Sequence, residues 1–160
     1  MSIEIVRNYL EQFQAQDRIL EFPISSATVE LAAKAVGCEP ARITKTLSFQ
    51  VGEDCVLIAA AGDAKVDNAK YKKYFGTKAK MLPPEEVALR TGHAVGGVCP
   101  FGVPDHVKVY LDVSMKRFET VYPAAGSSNS AIEVTPEELE RFSNALGWID
   151  VCKAWEGSQE

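Results

Sequence analysis

The apolar residues of five segments recur every three or four positions, a spacing that places them on one face of a helix. These predicted helices cover residues 3–13, 28–36, 67–75, 84–91 and 135–146. The last one has the clearest beginning. Its start, Thr135-Pro136-Glu137-Glu138, combines a threonine cap, a proline at the first helical position and a glutamate three residues after the cap, which together form a capping box. We expect Leu139, Phe142 and Leu146 to face the core.

Shorter segments alternate apolar and polar residues, the pattern of a strand with one buried face. These predicted strands cover residues 19–22, 44–51, 107–113, 120–123 and 131–134. Segment 55–61 is apolar on both faces, which predicts a central, buried strand. Because strands and helices are interspersed by both short and long connections, the predicted fold is α+β. We expect a single compact domain over residues 1–160, with a mixed, largely antiparallel sheet surrounded by helices.

Composition excludes several classes of protein. The chain has 160 residues, of which 46% are hydrophobic and 24% are charged, which is unlike disordered, collagen-like or coiled-coil sequences. Its longest apolar run, at 56–61, is too short to cross a bilayer, and the first residues lack the apolar core of a signal peptide. The four cysteines form no CxxC pair and only two histidines are present. We therefore expect reduced thiols, no metal site and a cytoplasmic location.

Charge is distributed unevenly along the chain. The net charge is −5, yet residues 64–80 carry about +5, which leaves about −10 on the rest. Six lysines supply this local charge: Lys65, Lys70, Lys72, Lys73, Lys78 and Lys80. A basic patch on an acidic protein can attract a phosphate backbone, and it can equally be the solvated face of a helix.

Lys45 is the first candidate for chemistry. It stands two residues before Leu47 and therefore shares the apolar face of strand 44–51. An ammonium on a buried face is unfavourable unless water or a partner solvates it. The side chain either reaches water at the end of the strand or projects into a pocket, where it would orient a phosphate or polarise an ester carbonyl.

Two loops are the next candidates. Loop 91–102 contains four glycines and two further motif residues, Cys99 and Pro100; it can turn backbone amides toward a ligand or be a tightly folded structural loop. Segment 126–130 offers hydroxyl and amide groups to a substrate, although such residues also form ordinary turns. Neither loop matches a P-loop or a dinucleotide fingerprint, and no serine lies in a G-x-S-x-G motif. The roles of His93 and Cys99 stay open.

In their order along the chain these segments resemble the YbaK/prolyl-tRNA-synthetase-associated domain family, whose members are aminoacyl-tRNA deacylases. The matching residues are Ala27-Thr28-Val29, Ile43-Thr44-Lys45-Thr46-Leu47, Gly62-Asp63, Thr91-Gly92, the GGVCPFG segment 96–102, Asp112, Gly126 and Ile132-Glu133-Val134-Thr135-Pro136-Glu137-Glu138-Leu139. The resemblance covers nearly the whole chain. Its most specific parts are the ITKTL and GGVCPFG segments.

The resemblance implies a free-standing editing enzyme that hydrolyses the ester of a mischarged tRNA, commonly tRNA-Pro carrying cysteine, alanine or another small amino acid. It implies aminoacyl-tRNA as substrate, prolyl-tRNA synthetase as a candidate partner, and no cofactor or metal. The Gly126 loop lacks the basic residue that many cysteinyl-tRNA deacylases carry, so cysteine is not favoured among these amino acids.

The resemblance also implies roles for individual residues. Lys45 matches the family's key lysine and would hold the terminal adenosine or ester near the attacking water. The implied substrate-binding residues are Thr28, Gly96, Gly97, Pro100, Phe101, Gly102, Gly126, Ser127 and Ser128. Independently of the family motifs, Lys70, Lys72 and Lys73 are candidate tRNA contacts. The alternatives are a non-catalytic module that binds tRNA, a nucleotide or a synthetase, and a hydrolase of other small acyl esters.

Overall fold

The structure is a computed structural model, and it describes residues 2–94 and 96–155. The helices are α1 (Ser2–Leu10), α2 (Val29–Val36), α3 (Asn68–Phe75), α4 (Pro84–Thr91) and α5 (Pro136–Ser143). The strands are β1 (Ile19–Glu21), β2 (Ile43–Val51), β3 (Asp54–Ala61), β4 (Lys65–Val66), β5 (Lys108–Asp112), β6 (Tyr122–Pro123), β7 (Ser130–Ile132), β8 (Gly147–Ile149) and β9 (Cys152–Lys153). Short 3₁₀ turns link several of these elements.

The main sheet has five strands in the order β6-β2-β3-β5-β8. Its centre is β3, in which every residue from Cys55 to Ala61 is at most 2% exposed. The prediction of a central strand that is buried on both faces is confirmed. Most of the hydrophobic core packs on the two faces of this strand.

The α+β class and the mixed sheet are confirmed, and the strands form both antiparallel and parallel pairs. Strands β2 and β3 form an antiparallel hairpin, and the small β1–β7 and β4–β9 sheets are also antiparallel. In contrast, β6 lies parallel to β2, β5 to β3 and β8 to β5. The chain travels from β3 through α3 and α4 before it enters β5, and long crossovers of this kind produce parallel neighbours.

Helix α5 confirms the capping box predicted for its start but not the buried position predicted for Leu146. Thr135 Oγ1 accepts a hydrogen bond from the Glu138 amide at 3.1 Å, and Glu138 Oε1 accepts one from the Thr135 amide at 3.0 Å, so the predicted capping box is present. The prediction that Leu146 faces the core is wrong. The helix ends at Ser143, Asn144 adopts a left-handed conformation, and Leu146 is 62% exposed.

The sequence reading missed β4, β8 and β9. Each has only two or three residues, which is too short for the alternation that reveals a strand. They form only through pairing with segments that are distant in the chain: β8 with β5, and β4 with β9. Strands of this length are therefore determined by tertiary contacts.

The outer edge of β2 is paired only at its two ends. At one end β6 pairs with Ile43 and Thr44, and at the other Met81 forms an antiparallel bridge with Phe49. Among the described residues, no strand pairs with this edge between these two points, over residues 45–47. The sheet is open here, beside Lys45.

Candidate functional site

A cavity of about 330 Å³ lies beside the open edge of β2. Its walls come from residues in the ranges 26–32, 43–48, 81–87, 96–98 and 122–131. The volume is at the lower end of the range of about 300–1,000 Å³ that is typical of small-molecule sites. A cavity of this size suits a small acyl group rather than a large ligand.

Lys45 lines this cavity. Its side chain is half-buried, and burial is the main reason that the pKa of its ammonium lies below the ordinary value of 10.5. Asp63 and Glu30 oppose this lowering, since both are negatively charged. Within residues 2–94 and 96–155, the ammonium of Lys45 forms no hydrogen bond or ion pair. An ammonium held in a cavity wall without a partner can bind or polarise an electron-rich group of a ligand.

Two threonines add polar groups to the cavity wall. Thr28 caps α2, where its Oγ1 accepts a hydrogen bond from the Leu31 amide at 3.1 Å, and its hydroxyl hydrogen can still be donated to a ligand. Thr46 Oγ1 is buried and has no hydrogen-bond partner among the described residues. Thr28 was predicted from the sequence, whereas Thr46 was quoted in the motif without a role. A buried hydroxyl without a partner is unfavourable, so a ligand that bonds with Thr46 would be stabilised.

The two predicted loops and segment 25–28 meet at the rim of the cavity. Gly96 lines the cavity, and a Cβ atom at this glycine would lie 3.4 Å from Ala27 Cβ and 3.7 Å from Ser128 Cβ. A Cβ atom at Gly97 would lie 2.9 Å from backbone atoms of Ser127. The Ser128 carbonyl accepts a hydrogen bond from the Ser26 amide at 2.6 Å. The glycines therefore allow loops 25–28, 96–97 and 126–130 to pack directly on one another.

Four other predicted site residues of loops 91–102 and 126–130 lie behind the rim. The Phe101 side chain is fully buried in the core, and the Pro100 side chain is also buried. Gly102 packs against Ile5 of α1, and Gly126 has a positive φ of 97°. None of these four lines the cavity.

His93 and Cys99 are internal parts of loop 91–102. His93 is 0% exposed, its Nε2 donates to the Phe101 carbonyl at 2.7 Å, and its Nδ1 has no partner among the described residues. Burial lowers the pKa of His93. Cys99 is also fully buried, and burial raises its pKa to about 12. A thiol that keeps its proton at neutral pH and is closed off from the cavity is unsuited to nucleophilic attack.

Three further residues of the family-like motifs stabilise the fold. A Cβ atom at Gly62 would lie 2.1 Å from the Pro40 carbonyl oxygen. Asp63 accepts two hydrogen bonds from Arg117. Asp112 is 0% exposed and accepts hydrogen bonds at 3.0 Å from the amides of Ser114 and Val151. These three motif residues therefore support the fold around Lys45 and do not line the cavity.

Sequence reasoning also missed part of the cavity wall. Met81 and Tyr122 line the cavity but come from distant parts of the chain and belong to no recognisable motif. Ser130, from the predicted segment 126–130, also lines it. The Tyr122 hydroxyl donates to Glu133 at 2.9 Å, and the Arg42 guanidinium lies 5.2 Å from the centre of its ring. Pairing with β2, through β6 for Tyr122 and through the bridge to Phe49 for Met81, brings this wall beside Lys45, so no local signal could have identified it.

The candidate tRNA-contacting lysines differ in their surroundings. The ammonium of Lys70 donates to Asp150 at 3.1 Å and to the Cys152 carbonyl at 3.0 Å, which ties α3 to the segment around β9. Lys72 and Lys73 are exposed. Helix α3 contributes no residue to the cavity wall.

The described part of the chain contains no group of three or more histidine, cysteine or acidic residues placed to hold a metal ion. None of its helices combines the length and apolar character needed to cross a membrane. All four cysteines are free thiols.

Comparisons with known proteins were made for both sequence and structure. The family model described as the aminoacyl-tRNA editing domain matches residues 25–142. The chain is 55% identical over 157 residues to the uncharacterized protein YwhH of Bacillus subtilis (strain 168), covering 98% of this chain and 100% of that protein. It is 27% identical over 125 residues to the proline–tRNA ligase of Thermosipho melanesiensis. That match covers 78% of this chain but only 22% of the ligase.

A solved structure gives the corresponding result for the fold. The crystal structure of a protein described as a candidate trans-editing enzyme for prolyl-tRNA synthetase superposes with a TM-score of 0.86 and 31% sequence identity. The superposition covers 95% of this chain and 97% of that chain. The family match over residues 25–142 includes all of the segments that form the cavity.

Proposed function

The chain belongs to the aminoacyl-tRNA editing domain family, and from this premise we propose that it is a trans-editing deacylase, which hydrolyses the ester of mischarged tRNA. The observation that carries the proposal is Lys45, a half-buried ammonium without an ion pair in the described residues, in the wall of a small cavity. In the proposed reaction the oxygen of a water molecule bonds to the ester carbonyl carbon. The bond to the ribose oxygen then breaks, and that oxygen receives a proton from the water.

Lys45 acts on the substrate through its charge. Its ammonium binds the ester carbonyl or a neighbouring oxygen of the terminal ribose, and it stabilises the negative charge that develops during attack. The buried Thr46 hydroxyl and the Thr28 hydroxyl are the next polar groups in the wall, and they orient the aminoacyl group. Neither the buried Cys99 nor a serine in a nucleophile motif is needed, because positioned water is the nucleophile.

The size of the cavity supports a small amino acid, and the related ligases support tRNA-Pro as the carrier. We therefore propose alanine, cysteine or another small residue attached to tRNA-Pro, in the cytoplasm, with prolyl-tRNA synthetase as a candidate partner. Gly96, Gly97, Ser127 and Ser128 shape the rim through their close packing, and Gly126 supplies a positive φ to the same loop. Pro100, Phe101 and Gly102 hold this rim in place from the core.

The lysine-rich helix is the proposed contact for the body of the tRNA. Lys72 and Lys73 are exposed and can approach the phosphates of the acceptor stem. Lys70 was predicted with them, but its ammonium is engaged with Asp150 and Cys152. Its part in the proposal is to fix the position of α3.

A deacylation panel tests the proposal. Wild-type protein and Lys45→Ala are incubated with alanyl-, cysteinyl-, seryl- and prolyl-tRNA-Pro, and the remaining ester is measured over time. We expect the wild type to hydrolyse at least one mischarged tRNA faster than prolyl-tRNA. Loss of one charge-stabilising group lowers kcat by about 100-fold or more, and Lys45→Ala should show that loss while its thermal unfolding is unchanged.

Two results would contradict the proposal in different ways. Tight tRNA binding without turnover on any member of the panel would identify a binding module rather than an enzyme. Hydrolysis of free amino acid esters at the same kcat/KM as aminoacyl-tRNA would identify a general small-ester hydrolase.

A further inference from the structure

Residues 78–81, here called the strap, are fixed along the edge of β2 where the cavity opens. The Gln50 amide donates to the Lys80 carbonyl at 2.8 Å, and the Leu82 amide donates to the Ser48 carbonyl at 3.0 Å. Met81 forms a bridge with Phe49 between these two bonds. The backbone of the strap is therefore held to the main sheet, four residues along β2 from Lys45.

The side chains of the strap differ in exposure. Ala79 packs against the core, whereas Lys78 and Lys80 on either side of it are exposed. In residues 2–94 and 96–155 neither lysine forms an ion pair or a hydrogen bond through its ammonium. Residues two positions apart in an extended segment are about 7 Å apart, so both ammonium groups can reach neighbouring phosphates of a single strand.

Met81 places an apolar surface beside these two charges. It lines the cavity and is 56% exposed, so part of its side chain is open to solvent at the entrance. A thioether packs favourably against an aromatic ring. Positive charge combined with a surface for stacking is the arrangement by which proteins bind single-stranded nucleic acid.

We propose that the strap binds the single-stranded 3′ end of the RNA, with Lys78 and Lys80 on its phosphates and Met81 against the terminal base. The inference rests on the proposed function, because that function places the ester-bearing terminal nucleotide at the cavity. It goes further by separating two basic surfaces: the strap holds the 3′ end, and Lys72 and Lys73 on α3 meet the stem. The strap thereby favours esters carried by RNA over free esters.

Binding measurements test the strap without depending on catalysis. A short fluorescent RNA that ends in CCA is titrated with wild-type protein, and with the double variants K78Q/K80Q and K34Q/K116Q, at several salt concentrations. Lys34 and Lys116 are exposed lysines that do not line the cavity, so the second variant is a control with the same change in net charge.

The expected results differ in size and in salt dependence. K78Q/K80Q should weaken binding by about tenfold or more and should reduce the slope of log K against log salt by about 1.4, since each phosphate contact on a single strand contributes about 0.7. K34Q/K116Q should bind as the wild type does. Met81→Ala should weaken binding without a change in slope, and Met81→Leu should retain it. An unchanged affinity and slope in K78Q/K80Q would overturn the proposal.

Kinetic measurements distinguish this inference from the proposed function. For wild type and K78Q/K80Q, kcat/KM is measured on aminoacyl-tRNA and on 3′-aminoacyl-adenosine, which lacks the preceding phosphates. We expect the preference for tRNA over adenosine to fall by about tenfold in the variant. If wild type and K78Q/K80Q hydrolyse aminoacyl-tRNA with the same preference over 3′-aminoacyl-adenosine, the proposed function stands and the proposal for the strap is overturned. Inactivity of the wild type would overturn the proposed function, and the binding measurements would still decide the strap.

Discussion

Lys45 combines charge and burial at a single residue, and this combination determines how the site should respond to pH. Burial lowers the pKa of its ammonium from 10.5, so the charge is lost at a lower pH than in an exposed lysine. We predict that the catalysed rate falls on the alkaline side at a pH below 10.5. In Lys45→Arg the fall should move to higher pH, because a guanidinium stays charged.

This prediction is checked by measuring kcat/KM from about pH 7 to about pH 10, after subtracting the uncatalysed hydrolysis of the ester at each pH. The absolute rate of Lys45→Arg is expected to be lower, so the position of the fall is the relevant quantity. If both proteins lost activity at the same pH, a group other than Lys45 would be responsible.

Gly97 contributes through the absence of a side chain. A Cβ atom there would lie 2.9 Å from three backbone atoms of Ser127, so we predict that Gly97→Ala forces the two rim loops apart. Overpacking of this kind lowers the free energy of unfolding by about 1–3 kcal/mol, and kcat/KM should fall as well. Gly147→Ala is the matched control, because nothing lies within 4 Å of a Cβ atom at that glycine.

Urea unfolding and deacylation assays on both glycine variants test this expectation. Gly147→Ala should change the free energy of unfolding by no more than about 0.5 kcal/mol. Equal effects of the two substitutions would mean that contact between the rim loops is unimportant.

At the scale of the element, two threonine caps allow structure and function to be separated. Thr28 caps α2 and lines the cavity, whereas Thr135 caps α5 and does not. Replacing either by alanine should lower the free energy of unfolding by about 1 kcal/mol, the typical contribution of an N-cap. Only Thr28→Ala should also reduce kcat/KM. Thr28→Ser should keep both the free energy of unfolding and kcat/KM close to the wild-type values.

Thermal unfolding and kinetics on the three threonine variants check this difference. A loss of activity in Thr135→Ala that matches the loss in Thr28→Ala would show that stability alone limits the rate.

The same elements show why part of this structure could be predicted from sequence. The capping box at Thr135 is a local signal, and α5 begins where it indicated. Helix α4 also matches its predicted range of 84–91. The position of Lys45 on an apolar face was also a local signal. The opposite wall of the cavity was not, because Met81 and Tyr122 approach Lys45 only through bridges to β2. Leu146 was misassigned because the helical spacing of apolar residues continues past the end of the helix.

At the scale of the whole molecule, the net charge of −5 conceals a basic segment, 64–80, in an otherwise acidic chain. The lysine-rich segment includes Lys70, which ties α3 to Asp150, so part of its charge has a structural role. Of its other lysines, Lys72 and Lys73 are exposed on α3, Lys78 and Lys80 on the strap, and Lys65 on β4. The acidic remainder would repel RNA, so a bound tRNA is expected to approach from the basic side alone.

The response of the whole fold to acid should occur in two steps. The folded state lowers the pKa of His93 from 6.5, so the unfolded chain takes up this proton first and the free energy of unfolding decreases as the pH falls below about 6.5. The bidentate pair with Arg18 lowers the pKa of Glu138 from 4.5 to about 2, so its contribution is complete above pH 4.5 and is lost toward pH 2.

Urea unfolding as a function of pH separates the two steps. His93→Gln keeps a side-chain donor for the Phe101 carbonyl and removes the titration, so it should abolish the upper step and leave the lower one. Arg18→Gln should reduce the lower step alone, since Arg18 donates to Glu138 at 2.9 Å and 3.0 Å. If the wild type and His93→Gln lost stability in parallel between about pH 7 and about pH 5, proton uptake by His93 could not be the cause. Proton uptake by His93 should also affect the site, because His93 holds the loop that carries Gly96 into the cavity wall.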